Sequence, residues 1–316
     1  MSGINLWKSL LLITAANLSL IGASTAYAQD EAARQLWDGA FLKKRAEAKK
    51  PAAESPNRKS TAYKRVPPKK TETQNPQSSK PQNSATPTKS DGKPDGEVLG
   101  VTVWRLRPAR DDDKREDRLL LEDESSKKTE WMAERVEAGT VFAPTDKVRL
   151  SIESPRDGYL YIIDREQYAD GTVSDPYLIF PTLRNRSGSN SVGAGKLIEL
   201  PERSAFDLKP MRPDYAGEGL TILVTSEPLE DVQPGPRHKK LEAEMVARWE
   251  SQWASAVDIY ELVDGAGKPY TKAEKEAGQD GARILTQDDA MPQTLYHVRG
   301  KSGSPLLVTV ALRIKK

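Results

Sequence analysis

Apolar and polar residues alternate through much of the carboxy-terminal two-thirds of this 316-residue chain. In "DKVRLSIESP", Val148, Leu150 and Ile152 fall on one side of an extended backbone, with Arg149, Ser151 and Glu153 on the other. That period of two is what a half-buried strand needs. "VTVWRLR" (101–107) opens the patterned region, and a charged loop separates it from "RLLLE". "RDGYLYIID" and "PYLIFP" are nearly continuous apolar runs, the pattern of strands covered on both faces. "KLIELP", "LTILVTSE" and "PLLVTVALRI" complete the set. Short strands punctuated by Pro, Gly, Asn and Asp predict a mainly β body over 97–316, of the immunoglobulin-like β-sandwich kind.

One stretch changes period. Leu241, Met245, Trp249, Trp253 and Val257 recur every four residues, with Val246 and Tyr260 beside them, between Pro236 and Gly265. This predicts a helical insertion near 239–262. Its tryptophans share a stripe with ordinary aliphatics and read as core.

Upstream of the body the patterning fades. Residues 51–96 hold eight prolines, and their only large apolar residues are Tyr63 and Val66. Such a segment cannot bury enough surface to offset its ordering entropy, which predicts a disordered, basic, Pro-rich linker. Residues 29–50 offer a short amphipathic segment built on Leu36, Trp37, Ala40 and Phe41, weakened by Gly39. Alone it is marginal, so it is expected to fold only against a partner. Residues 1–28 place Lys8 ahead of a short apolar run that ends in Ala26-Tyr27-Ala28. That order predicts a signal peptide cut after Ala28, hence a periplasmic or extracellular protein with no membrane-spanning segment afterwards.

Charge sharpens this division. Residues 29–96 carry 15 Lys/Arg against 8 Asp/Glu, whereas 97–316 carry 32 against 38. A basic arm is joined to an acidic body, and the arm is either a solvated spacer or an adhesive for anionic glycans. With no cysteine there is no disulfide, no thiol nucleophile and no Cys-based metal site.

Candidate chemistry centres on the loop after "GYLYIID". Asp164, Glu166, Asp170 and Asp175 supply enough oxygens for calcium, but not at the spacing of a calcium loop. Asp170-Gly171 between apolar runs is a turn signal by itself. Catalytic carboxylates would need a definite separation, which a linear sequence does not display. His238 sits among cations expected to depress its pKa, and His297 lies on a predicted strand. No nucleophile elbow, zinc helix or phosphate-binding loop is present. "RSGSNSVGAGK" lies between strands without the helix of a phosphate cradle and reads as a flexible hairpin loop. The arm lacks the stacked aromatics of a nucleic-acid binder.

The stretch from Val141 to Leu229 resembles bacterial proteins carrying the domain of unknown function 4384. The likeness rests on Phe142, Asp146, Gly158, Tyr159, Leu160, Tyr161, Asp170, Gly171, Phe180 and Pro181. Thr145 stands where that family has a glycine in the opening turn. The resemblance implies an all-β surface or envelope module of a family with no established catalytic residues, and makes Gly158, Gly171 and Pro181 turn-shaping and Tyr159, Tyr161 and Phe180 packing residues. The combined expectation is an exported, non-enzymatic interaction or scaffolding module that uses no cofactor and binds an envelope protein or anionic glycan. The alternatives are an envelope-polymer hydrolase, using carboxylates of the 164–175 loop or His297, or a peptidase-associated domain, and a small-ligand or metal-sensing domain.

Overall fold

The computed structural model describes residues 36–46, 63–67, 96–122, 127–278 and 283–315. Residues 1–28, expected to be a signal peptide, and most of the expected linker lie outside these residues. Within them the chain is mainly β, arranged in two sheets of nine and seven strands.

The first sheet is organised by β2 (Glu97–Pro108). Along one edge β2 pairs with β6 (Lys147–Glu153). Its other edge is shared: residues 97–101 meet β15 (Thr294–Val298), and residues 103–108 meet β4 (Lys128–Val136). β4 pairs on with β3 (Leu119–Glu122), and β6 with β10 (Leu197–Leu200) and β11 (Phe206–Asp207). On the far side, β15 carries β14 (Val257–Leu262), which carries β1 (Tyr63–Val66) at the edge.

In the second sheet β7 (Gly158–Tyr168) lies between β8 (Tyr177–Phe180) and β12 (Tyr215–Thr225). β12 continues to β16 (Leu306–Ile314), which takes β5 (Val141–Phe142) in parallel. The short strands β9 (Ser191–Val192) and β13 (Lys239–Lys240) pair with β7 and β8.

The strict alternation along these strands decides which sides meet. Leu99, Val101 and Val103 of β2 and Leu150 and Ile152 of β6 face Leu160 and Ile162 of β7, Ile222 and Val224 of β12, and Val308 and Val310 of β16. These side chains make one core between the sheets. A fully buried Leu or Ile contributes about 1.5–3 kcal/mol, which makes this layer the main source of stability.

Both outer faces are also covered, which explains the continuous apolar runs. Tyr161, Ile163 and Leu178 of the second sheet pack under Val246, Met245 and Trp249 of α1 (Ala243–Gln252). The outer face of the first sheet is covered by residues from both ends of the sequence, as described below.

Three expectations need correction. The helix near 239–262 is only ten residues long: it stops at Gln252, and Val257–Leu262 is a strand instead. "VDIYEL" happens to continue the four-residue stripe while alternating with period two, and its pairing with β15 decides the outcome. Residues 63–66, assigned to the linker, form β1 and close the edge of the first sheet. A second helix, α2 (Lys272–Gly278), was not anticipated. It starts with a capping box, in which Glu274 N–H donates to Thr271 Oγ1 (3.3 Å) and Thr271 N–H donates to Glu274 Oε2 (2.9 Å).

Candidate functional site

The outer face of the first sheet holds the densest set of buried charges in the described chain, and residues 36–46 cover it. Asp38–Leu42 is a wide π-helical turn around Gly39. It brings Trp37, Phe41 and Arg45 inward, and all three are at least 94% buried. The Trp37 and Phe41 rings stack at 5.1 Å, and Tyr63 of β1 lies 6.3 Å from Trp37. Leu36, Val98, Tyr260, Leu262 and Leu295 complete this cluster, which is separate from the inter-sheet core.

Arg45 anchors the arm. Its Nε donates to Glu153 Oε1 (2.9 Å) and its Nη2 to Glu153 Oε2 (2.6 Å), a two-pronged fork. The remaining donors reach the carbonyls of Asp289 (2.8 Å) and Ala290 (3.1 Å). The guanidinium also stands 4.8 Å from the Trp37 ring. Glu153 ends β6 and is fully buried. Burial pushes its pKa up, and the Arg45 hydrogen bonds pull it back.

The second anchor is β1, running antiparallel to β14 from Tyr63 opposite Leu262 to Val66 opposite Ile259. The buried Tyr63 hydroxyl donates to the Pro292 carbonyl at 2.7 Å. Arg65 pairs with Asp258, which also takes Arg299 at 2.6 Å. Burial alone would raise the Asp258 pKa, but these two arginines hold it below the usual carboxylate range. At the rim Lys64 meets Glu137 at 3.0 Å. Every described basic residue of β1 therefore finds a carboxylate on the body.

The floor explains how the arm fits so closely. Gly100 lies on this face of β2, and a Cβ there would stand 2.5 Å from Pro292 and 3.3 Å from Phe41. Beside it Arg135 pairs with Glu274, lies 5.1 Å from the Trp104 ring and donates to the Met291 carbonyl (2.7 Å). Trp104 Nε1 donates to Ser151 Oγ at 2.7 Å. A cavity of about 20 Å³ among Thr102, Trp104, Ser151 and Glu153 has room for one water molecule.

The acidic residues singled out in the sequence do not converge. Asp170 sits at the hairpin tip, accepting from Thr172 N–H (2.8 Å) and pairing with Arg212 (3.2 Å). These contacts lower its pKa to about 2. Asp175 pairs with Lys240 at 2.5 Å. Glu166 is buried and accepts from the Tyr168 hydroxyl (2.9 Å) and from Met211 N–H (3.1 Å). Asp164 instead meets Glu218, a residue the sequence did not flag. Burial first, then the Glu218 carboxylate, raise the Asp164 pKa to about 9, which keeps Asp164 protonated at neutral pH. The Tyr215 hydroxyl donates to Glu218 Oε1 (2.7 Å), and Asp164 Oδ1 is shielded from solvent. Among the described residues no three His, Asp or Glu side chains are placed to hold a metal ion.

The remaining flagged residues are placed by packing. Gly158 lies against the Thr225 carbonyl, 2.3 Å from where a Cβ would stand, and Gly171 turns the hairpin at φ +84°. Tyr161 is buried, and its hydroxyl accepts from Leu229 N–H at 2.8 Å. Tyr159 is half-buried beside it, Phe180 is fully buried, and Pro181 follows through a cis peptide bond. In the turn before β6, Ala143 N–H donates to Asp146 Oδ2 (2.9 Å), and Thr145 has no positive φ, so this turn needs no glycine. His297 lies on β15, 3.7 Å from Asp258. The His238 pKa is lowered, chiefly by desolvation, with Arg184 adding and Glu218 opposing, so its sequence neighbours are not the cause.

Sequence reasoning missed Arg45, Glu153, Arg135, Glu274 and Glu218. Only the arm left a trace, in the four-residue spacing of Trp37, Phe41 and Arg45 and in Tyr63 and Val66 as the linker's lone large apolar residues. No helix among the described residues is long and apolar enough to cross a membrane. No family model, curated protein or solved structure matches this chain.

Proposed function

We propose that this chain is an exported, non-enzymatic interaction module of a bacterial envelope, an immunoglobulin-like sandwich whose outer face captures a basic, aromatic-anchored polypeptide segment. Its own residues 36–46 and 63–66 occupy that face in cis. The observation that carries this reading is the Arg45 fork on Glu153, a buried charge pair joining the arm to a strand of the body. Two established modes of peptide recognition coincide there: strand addition at the β14 edge, and a helical turn laid into an apolar groove. The charges agree, since a basic arm meets Glu153, Asp258 and Glu137 on an acidic body. Export rests on the order of residues 1–28, and the envelope assignment also on the likeness of Val141–Leu229 to the domain of unknown function 4384. An envelope protein carrying a similar segment is the partner this chemistry fits.

The test uses a labelled synthetic peptide spanning 34–67, added to the full chain and to a full chain carrying W37A and R45A. The intact chain should not take up the peptide, because its tethered arm competes at millimolar effective concentration. The weakened chain should bind it saturably, with unlabelled peptide competing. A weakened chain that stays folded yet ignores the peptide would defeat the proposal.

A further inference from the structure

The segment from Arg186 to Ile198 holds a second feature, built from residues that take no part in the Arg45 and Tyr63 anchors. Arg186, Ser191, Val192, Gly193, Lys196 and Ile198 line an open hollow of about 140 Å³, several times the volume of a water molecule. Val192 and Ile198 are buried and form an apolar floor, while Arg186 and Lys196 stand half-buried at the sides. Among the described residues neither cation has a carboxylate within ion-pair distance. This sets them apart from Arg45, Arg107, Arg135, Arg149 and Arg165, each of which is matched by an acid.

The backbone holds Arg186 in place at some cost. Arg186, Ser187 and Gly188 take φ values of 50°, 53° and 83°, a left-handed run in which two residues carry side chains. Strain of this kind persists only where the surroundings enforce it, and it gathers at ligand clamps. Here Arg186 N–H donates to Glu202 Oε2 (3.0 Å), and Arg186 Nη1 donates to the Ser191 carbonyl (2.8 Å). The guanidinium is fixed by that one bond and keeps its other donors. The Lys196 stem runs along Gly193, whose missing Cβ would come within 3.3 Å of it. Asp157, the acid at this corner, accepts from Ala194 N–H at 2.9 Å. Two half-desolvated cations thus converge on an apolar-floored hollow, with the nearby acids Glu202 and Asp157 engaged by backbone N–H groups.

We propose that this hollow is a binding site for an oxyanion, a phosphate, sulfate or carboxylate group, either free or borne on a polysaccharide. Arg186 offers a planar fork, Lys196 a point charge and Ser191 a hydroxyl. The site works without a helix N-terminus, so the lack of a phosphate-cradle helix in "RSGSNSVGAGK" does not count against it.

Calorimetric titration of the full chain with inorganic phosphate, then sulfate, then dextran sulfate, at constant ionic strength, tests this. Phosphate or sulfate should bind saturably. K196Q should weaken that binding at least about tenfold, the loss expected for one charged hydrogen bond. R186Q should do the same. K268Q, which removes an equal charge from the exposed loop between β14 and α2, should leave it unchanged. Because R186Q also touches the left-handed turn, K196Q with an unaltered near-ultraviolet spectrum is the decisive variant. Dextran sulfate that displaces phosphate marks a site for polymer-borne groups, and failure to displace it marks a site for the free ion. Absence of saturable binding by either ion, or equal affinity in K196Q, would overturn the proposal.

Discussion

Arg45 and Glu153 stand 108 positions apart in the sequence and meet through two hydrogen bonds, with side chains 1% and 0% exposed. The pair ties a segment outside the patterned body to the end of a core strand. A buried pair of this kind adds little net stability over an apolar pair, but removing one partner strands the other charge. R45A should therefore cost about 3–5 kcal/mol. R45M combined with E153M should recover most of that loss. Urea denaturation of the single and double variants checks both expectations.

Tyr63 separates packing from hydrogen bonding at the second anchor. Y63F removes only the bond to the Pro292 carbonyl and should cost about 1 kcal/mol. Y63A also removes a fully buried ring and should cost roughly 3–5 kcal/mol. Equal losses in the two variants would show that the hydroxyl, not the ring, holds the strand.

Gly100 predicts a steric effect confined to the groove. A methyl group there meets Pro292 and Phe41. G100A should loosen the arm at a cost of about 1–3 kcal/mol, as overpacking does elsewhere. The inter-sheet core lies on the opposite face of β2, so tyrosine and tryptophan fluorescence from the groove should change while global folding survives.

Asp164 gives the pH dependence. Its folded pKa, about 9, lies well above that of an unfolded aspartate. The folded state therefore holds a proton that the unfolded state releases. Its stabilising contribution is complete below about pH 4 and is lost progressively as pH rises toward 9. D164N keeps a donor for Glu218 without the ionisation. Melting temperatures should show D164N gaining on the parent as pH rises through this window, by up to about 1.4 kcal/mol per pH unit. A constant difference across pH 5–9 would contradict the raised pKa of Asp164.

The sequence was most readable where one period dominated. β6 followed from Val148, Leu150 and Ile152, and β7, β12 and β16 from their runs of branched and aromatic residues. α1 was extended too far because Trp253, Val257 and Tyr260 keep helical spacing by coincidence, and local periodicity carries no information about the partner strand β15. β4 was missed since "KTEWMAERV" spreads Glu134 and Arg135 among its apolar residues, and these charges find partners only in the fold. The hairpin tip at Asp170-Gly171 was legible because turn chemistry is local. The groove was not: its charges sit on β1, β4, β6, α2 and the arm, and pairing across such separations leaves no linear pattern. The linker reading failed at β1 for the same reason, since Tyr63 gains its burial from a strand nearly two hundred residues downstream.

Amide hydrogen exchange on the full chain tests the central claim most directly, namely that the arm is a docked segment and not part of the inter-sheet core. The amides of Arg45 and Ala46, and the alternate amides of β1 that bond to β14, should be protected, yet open together at lower free energy than those of β7 and β12. R45A should abolish the arm's protection, whereas the amides of β7 and β12 stay protected and lose only what global stability loses. An arm that exchanges only with global unfolding, or that shows no protection at all, would contradict the account.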